Sequence, residues 1–495
     1  MLGGRMRQED LDMLRAMPVA APAMMINGKS VMAESGATLD VVSPIDGALL
    51  TQIPNASEAD VTIAVTSARH SFDSGVWSRT HPMVRKKVML AWADLIEKHA
   101  IELAVLGVRD NGTEISMAFK AEPMSAANTI RYYAEAIDKI YGEVAPTDPS
   151  TLAMILKEPI GVVGAIVPWN FPLMISAWKI APAIAMGNSF VIKPSEVASL
   201  SVLRMVALAH EAGLPEGVLN VVTGAGPVSG HALAMSMDVD ALAFTGSGPV
   251  GRQLMEAAAK SNLKRVFLEL GGKSPHIVFD DTADLDTAAE AVVTGIFRNS
   301  GQVCVAGSRL LVHDTIHDAF VEKIVGLTEK LRVGDPLDLS TQIGALSSEG
   351  HMHRIQKALE GANSVVSGGI QILSETGGFY MAPTIVTDID VDDRLFSEEV
   401  FGPVLTVSQF TDEIDAISQA NASELGLASG VWTSNLGRAH RMVATLHTGV
   451  VHVNTYGGAD NTVPLGGYKQ SGNGHDKSLH AIEKFINKKT AWIKV

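Results

Sequence analysis

Cysteine is almost absent: Cys304 is the only one in 495 residues. An internal disulfide is excluded, as is a metal site built on several thiolates, and no metal is expected. The chain suits a reducing compartment. Aromatic residues make up 5%, and 39 Lys and Arg stand against 54 acids, a net charge of −15. A surface for nucleic acid or an anionic membrane needs clustered cations, so neither is expected as a partner. A local basic pocket for a phosphate stays open. Uninterrupted apolar runs are scarce too. The first 25 residues carry Arg5, Arg7, Glu9, Asp10, Asp12 and Arg15, too many charges for a signal-peptide core. From Ile160 to Met186 the only formal charge is Lys179, but Pro168, Pro172 and Pro182 break the run. It reads as a buried strand, a proline-bounded loop and a buried helix start rather than a membrane span. The expected location is cytoplasmic.

Hydrophobic residues are 46% and charged residues 19%, ample material for large cores over about three domains. Residues 57–75 and 81–111 read as helical, with Val84, Val88, Leu95 and Ile96 set among charges. From residue 160 the period changes. Short apolar runs (Gly161–Val167, Ser189–Ile192, Val218–Val222, Ala241–Phe244, Val266–Leu270) alternate with helical pieces such as Leu200–Ala212 and Val250–Lys260. That alternation indicates βαβ units and a buried parallel sheet. A second alternating region begins near Pro275–Asp280 and continues past Phe401–Val407. Lys488–Val495 is a strand-like run with no local partner, as expected of a segment that pairs with another domain or subunit.

Residues Gly246 to Gly251 spell G-x-G-x-x-G between a strand and a helix, where free N–H groups can hold a phosphate. A tight turn with no ligand is the alternative. The dinucleotide template also asks for an acid about twenty residues on, and Glu269 lies 18 past Gly251, so the bare pattern assigns Glu269 to a ribose. Lys193-Pro194-Ser195-Glu196, after another strand, offers a cation and a carboxylate suited to two ribose hydroxyls. Cys304 follows Gly301-Gln302-Val303, just after the helical stretch Asp284–Ser300. A lone cysteine is commonly inert core. In a glycine-bearing turn its thiolate and a nearby oxyanion can be stabilised by backbone N–H groups, which suits a nucleophile. Asn170, in Pro168-Trp169-Asn170-Phe171-Pro172, either ties its loop or donates to such an oxyanion.

Taken together, Pro168–Pro172, Lys193–Glu196, Phe244–Ser247, Leu268–Pro275, Gly301–Cys304, Glu399–Pro403 and Pro464–Gly472 resemble, in order, the motifs of the NAD(P)-dependent aldehyde dehydrogenase superfamily. The resemblance implies an α/β fold of three parts. A Rossmann-like cofactor domain would take residues 1–140 and 160–270, and an α/β catalytic domain 271–470. A small β oligomerisation element would take 141–159 and 471–495. It reassigns Glu269 from ribose to general base, with Cys304 as nucleophile and Asn170 as oxyanion donor. NAD would be held by Ile166, Trp169, Lys193, Ser195, Glu196, Gly226, Gly230, Phe244, Ser247, Val250, Leu270, Glu399 and Phe401. The Glu196 carboxylate would repel a 2′-phosphate and favour NAD over NADP. A general base at Glu269 implies hydrolysis of the thioester to a free carboxylate.

The tail Ser471–Ala481 and the segment Arg131–Glu143 are similar to the branch that oxidises 4-(γ-glutamylamino)butanal and related ω-aminoaldehydes in polyamine breakdown. Two departures stand out: Ala121-Glu122 where that branch pairs two acids, and Leu465 where many relatives carry Phe. The implied tunnel walls are Phe171, Met174, Trp178, Glu122, Val303, Val305 and Leu465. Betaine aldehyde or simple aliphatic aldehydes are the alternative substrates, and a non-catalytic binding protein of the same fold is the remaining one. The family pattern further implies a homodimer or homotetramer, with Lys488–Val495 joined to a hairpin near Gly142–Leu156 of a partner subunit.

Overall fold

The computed structural model describes residues 6–20, 22–362, 364–458 and 460–495; Arg5, within the charged N-terminal segment, lies outside them. Ser189–Lys193 is a strand with every residue buried, hydrogen-bonded in parallel to Val162–Ile166 and Leu219–Val221. A strand apolar on both faces needs cover on both sides. Helices in the connections supply it: Pro172–Ala185, Leu200–Glu211 and Gly248–Lys260. The sheet runs Arg265–Glu269, Ala241–Thr245, Val162–Ile166, Ser189–Lys193, Leu219–Val221, then Met24–Ile26 and Lys29–Val31. The first five strands are parallel, Met24–Ile26 runs against them, and Lys29–Val31 pairs antiparallel with Met24–Ile26. In chain order the parallel strands lie 5-4-1-2-3, so the winding reverses between Val162–Ile166 and Ala241–Thr245. The crevice beyond the carboxyl ends at such a reversal is where open α/β sheets take their ligands.

A second sheet is ordered Val365–Ser367, Thr384–Val386, Val404–Phe410, Arg309–His313, Pro275–Val278, Ala428–Trp432, Val450–Val453. All but its first strand run parallel. Only residues 270–274 separate the last strand of the first sheet from Pro275–Val278 of the second. Glu269 therefore ends one sheet beside the start of the other.

The helices follow their sequence signals. Ser57 and Asp60 form a reciprocal capping box on Glu58–Ser74, and Gly75 closes that helix at φ 80°. The stretch expected as one helix over 81–111 is two, Pro82–Lys98 and Ala100–Asn111, because His99 leaves helical backbone at φ −100°, ψ 16°. Pro172 stands in the first turn of Pro172–Ala185, where its missing N–H costs nothing. Burial of nearly all of that helix accounts for the apolar stretch around it. Among the described residues no helix is long and apolar enough to cross a membrane.

The C-terminal strand corrects an expectation. Ile486–Lys494 pairs antiparallel with Thr151–Pro159 of its own chain, from Ile486 opposite Pro159 to Lys494 opposite Thr151. Glu143–Ala145 completes a three-stranded sheet. The hairpin is not a partner's. Buried Ala481, Ile482 and Phe485 anchor the preceding segment in the core, and the Ile160 N–H donates to the Phe485 carbonyl at 3.1 Å. The strand is thereby delivered to the chain's own hairpin. Tyr141, Val144, Trp492, Ile493 and Val495 on this element are exposed.

Candidate active site

Cys304 lies between the helix Leu285–Phe297 and the strand Arg309–His313, at the amino edge of the second sheet. The expected helix to Ser300 ends at Phe297, because Asn299 (φ 49°), Ser300 (φ 52°) and Gly301 (φ 71°) follow in left-handed backbone. Two such non-glycine residues cost on the order of 1–3 kcal/mol each and persist only where their surroundings fix them. Here they are fixed. The Asn299 N–H donates to Glu114 Oε1 at 3.1 Å, its side chain accepts from Thr113 Oγ1 at 2.7 Å, and Ser300 Oγ donates to the Gly344 carbonyl at 2.8 Å. Gln302 Oε1 accepts from the Ser347 N–H at 2.9 Å. At Gly301 a Cβ would stand 2.0 Å from the Gly402 carbonyl oxygen, so only glycine fits.

Asn170 is buried, and its Nδ2 donates to the Gln302 carbonyl at 2.9 Å. Its amide therefore lies against the turn that carries the thiol, with a second N–H on the same nitrogen. The Cys304 thiol is pushed up to about 12, by burial first and then by the charges of Glu399 and Glu269, against the Val305 N–H and Arg298. Glu269 is buried at the end of its strand, and its Oε1 has no partner among the described residues. Burial holds its carboxyl well above the usual range. Asp476 pushes the same way, and Lys179 and Lys484 oppose.

Those three charges form one buried cluster. Lys179 Nζ and Lys484 Nζ each lie 2.5 Å from a carboxylate oxygen of Asp476. Burial alone would raise the Asp476 carboxyl, but the two ammonium groups outweigh it and hold it low. Sequence reading did not bring these residues to the site. The one signal was Lys179, a lone charge in an apolar stretch, which had to have a buried counter-charge.

The expected cofactor residues gather at the reversal crevice. Lys193, buried, reaches Glu196 Oε2 at 3.3 Å and the Pro194 carbonyl at 3.0 Å. Burial pulls its ammonium down and Glu196 supports it. The side chain of Glu196 is 40% exposed, open to hydroxyls beyond the strand end. A Cβ on Gly230 would meet Ile166 Cδ1 at 3.5 Å and Lys193 Cδ at 3.6 Å, so these three line one pocket wall. Nothing stands within 4 Å of a Cβ at Gly226. The helix Gly248–Lys260 starts at Ser247 without a side-chain cap, with Ser247 and Val250 exposed, leaving its first N–H groups open to an anion. Phe244 and Leu270 pack behind this turn: a Cβ on Gly246 would stand 2.5 Å from Phe244 Cζ, and one on Gly251 3.1 Å from Leu270 Cδ2. Across the seam, Glu399 Oε1 accepts from the Gly272 N–H at 2.9 Å. Burial pushes its carboxyl up to about 7 against that bond and Lys273. Trp169 meets Phe401 edge-on at 5.4 Å and His351 at 5.0 Å. A buried donor beside an open carboxylate, an uncapped helix start and a second carboxylate across the seam fit a dinucleotide.

Of the expected tunnel residues, Phe171, Trp178 and Val303 are buried, and Met174, Val305 and Leu465 are partly so. Lys477 Nζ lies 5.8 Å from the Trp178 ring centroid. Glu122 does not project freely: its Oε2 accepts from the Met174 N–H at 2.8 Å, holding the first turn of Pro172–Ala185. Ser195 Oγ likewise turns to its own backbone, accepting from the Val197 N–H at 3.4 Å.

Residues 31–491 match the aldehyde dehydrogenase family. The chain belongs to that family. An NADP/NAD-dependent aldehyde dehydrogenase of Escherichia coli (strain K12), PuuC, is 48% identical over 472 residues, covering 95% of each chain. The crystal structure of gamma-glutamyl-gamma-aminobutyraldehyde dehydrogenase from Burkholderia cenocepacia J2315 matches with a TM-score of 0.97 at 47% identity, over 99% of this chain and 100% of that one. An indole-3-acetaldehyde dehydrogenase of P. syringae, AldA, solved as a mutant with NAD+ and IAA, also gives 0.97, at 46% identity and the same coverage. The two parallel sheets and their seam are thus the aldehyde dehydrogenase fold. Besides the Asp476 cluster, sequence reading missed Arg298 and Tyr456, which neighbour the thiol turn but fall outside its motif.

Proposed function

We propose that this aldehyde dehydrogenase oxidises an aldehyde to a free carboxylate with NAD, through a thiohemiacetal and then a thioester on Cys304. One observation carries the reading. A single thiol, the Asn170 amide bonded to the thiol's own turn and a buried carboxylate whose charge acts on that thiol meet at the seam of the two sheets. Cys304 Sγ attacks the carbonyl carbon, and its proton passes to the ionised fraction of Glu269. Asn170 Nδ2 and the Cys304 N–H hold the developing oxyanion. NAD supplies the hydride acceptor. Glu269, its first proton passed to solvent, then takes a proton from the water that attacks the thioester and gives it to the departing Cys304 sulfur, releasing the carboxylate and restoring the thiol.

Lys193 and Glu196 take the adenosine ribose hydroxyls, the Ser247 turn the pyrophosphate, and Glu399 the second ribose. The substrate is 4-(γ-glutamylamino)butanal or another ω-aminoaldehyde, a reading supported by the B. cenocepacia enzyme at 47% identity. The exposed apolar residues on the three-stranded sheet support a dimer or a dimer of dimers, and the lack of a spanning helix among the described residues is compatible with the cytoplasm. The test of the base is Glu269→Gln. Steady turnover should fall about 10²-fold or more while a first-turnover burst of NADH survives. A variant that raised only the KM for NAD would return Glu269 to the ribose role that the glycine-rich pattern gives it.

A further inference from the structure

Arg298 stands where the helix Leu285–Phe297 breaks into the thiol turn. Among the described residues its guanidinium makes no hydrogen bond and no ion pair, and its Nε is sealed from solvent without a partner. Buried Arg309 also leaves its Nε without a partner, but its two terminal nitrogens donate to the Gln419 and Ala420 carbonyls at 2.9 and 2.8 Å and it covers the Phe396 ring. The Arg298 fork is placed against a residue that lacks a side chain. A Cβ on Gly457 would stand 3.1 Å from Nη1 and 3.4 Å from Nη2. Tyr456, next in chain, donates its hydroxyl to the Val305 carbonyl at 2.8 Å, immediately after the nucleophile. The positive charge of Arg298 acts on Cys304, on Tyr456, on His452 and on Glu114. Glu114 does not neutralise it. Its Oε1 accepts from the Asn299 N–H, and the two form no ion pair.

A partly buried cation without a counter-ion is costly, and a bound anion removes that cost. The net charge of −15 means that the molecule as a whole repels anions. An anionic substrate therefore needs a local cation, and a guanidinium matches a carboxylate fork to fork.

We propose that Arg298 is a specificity-determining residue, its guanidinium binding a carboxylate on the far part of an aldehyde whose carbonyl reaches Cys304, with Gly457 leaving the space. This rests on the function proposed above and chooses within it. A free ω-aminoaldehyde presents a cation to Arg298 and is disfavoured. A γ-glutamylamino aldehyde carries an α-carboxylate and is favoured.

The test compares 4-(γ-glutamylamino)butanal with its analogue in which the α-carboxylate is a carboxamide, and with butanal, by NADH formation. Wild type should prefer the carboxylate over the carboxamide by about tenfold to a hundredfold in kcat/KM, the scale of one charge-assisted hydrogen bond. The difference should lie in KM, and high salt should shrink it. In Arg298→Met the ratio should fall to near one, and Arg298→Lys should restore part of it. Wild-type enzyme that turns over butanal but treats carboxylate and carboxamide alike would overturn this proposal and leave the function intact. Enzyme inert toward all three aldehydes would overturn both.

Discussion

Lys179 Nζ meets the Asp476 carboxylate at 2.5 Å, with both side chains 1% exposed. Lys484 closes on the other oxygen of the same carboxylate. Buried ions of this kind are weak evidence of net stability, but removing one partner leaves the others unanswered. Asp476→Asn should lower the unfolding free energy by about 3–5 kcal/mol, read from urea titration. It should also act on catalysis. Asp476 raises the Glu269 carboxyl and the lysines lower it, so losing Asp476 moves Glu269 down. The rise of kcat with pH should then shift to lower pH. An unchanged or upward-shifted limb would separate the cluster from the base.

Reactivity of the Cys304 thiol should depend steeply on pH. With Cys304 pushed up to about 12, the protonated form dominates across the neutral range, and the reactive thiolate grows tenfold per pH unit. Without cofactor, iodoacetamide should label one equivalent slowly at pH 7, with a rate still climbing at about pH 10. A rate that levels off below about pH 8 would mean a thiolate stabilised in the free enzyme, and would refute the burial argument. Cys304→Ala should take up no label and form no NADH.

The proposed role of Glu196, which lies 3.3 Å from Lys193 at the strand end, is to set cofactor choice. In that role its carboxylate would accept from ribose hydroxyls and repel a dianionic phosphate. Wild type should show a higher kcat/KM with NAD than with NADP, and Glu196→Gln should narrow the gap. Equal use of both by the unaltered enzyme would remove Glu196 from that role.

The three-stranded sheet presents Trp492 at 67% exposure and Ile493 at 45%. If subunits meet there, Trp492→Glu should reduce the mass measured by light scattering at micromolar concentration, because a desolvated carboxylate in an apolar interface is costly. A variant that keeps the wild-type mass would move the interface elsewhere.

Local chemistry was legible in the sequence, and distant pairing was not. Ser189–Ile192 reads as a buried strand because it is a short apolar run set between helical pieces, and the family resemblance, not the spacing, grouped Cys304, Glu269 and Asn170. The glycine-rich pattern and the family resemblance part over Glu269, which meets the acid spacing yet ends a strand near enough to the thiol for its charge to act there. Lys179 announces a missing counter-charge without naming Asp476, 297 positions away. The C-terminal strand fails for the same reason: its register with Thr151–Pro159 is set by Phe485 and its neighbours in the core, which no local pattern encodes. The break at Phe297 depends on left-handed backbone at Asn299 and Ser300, residues whose type permits a helix as readily.

The solitary sulfhydryl has a bearing on oxidative damage. A sulfenic acid at Cys304 has no resolving thiol anywhere in the chain, so no internal disulfide can form to shield it from sulfinic and sulfonic acid. Protection rests on the resting proton instead, since peroxide attacks thiolate and the raised Cys304 offers little of it. Repair, once oxidation has occurred, falls to small-molecule or protein thiols from outside.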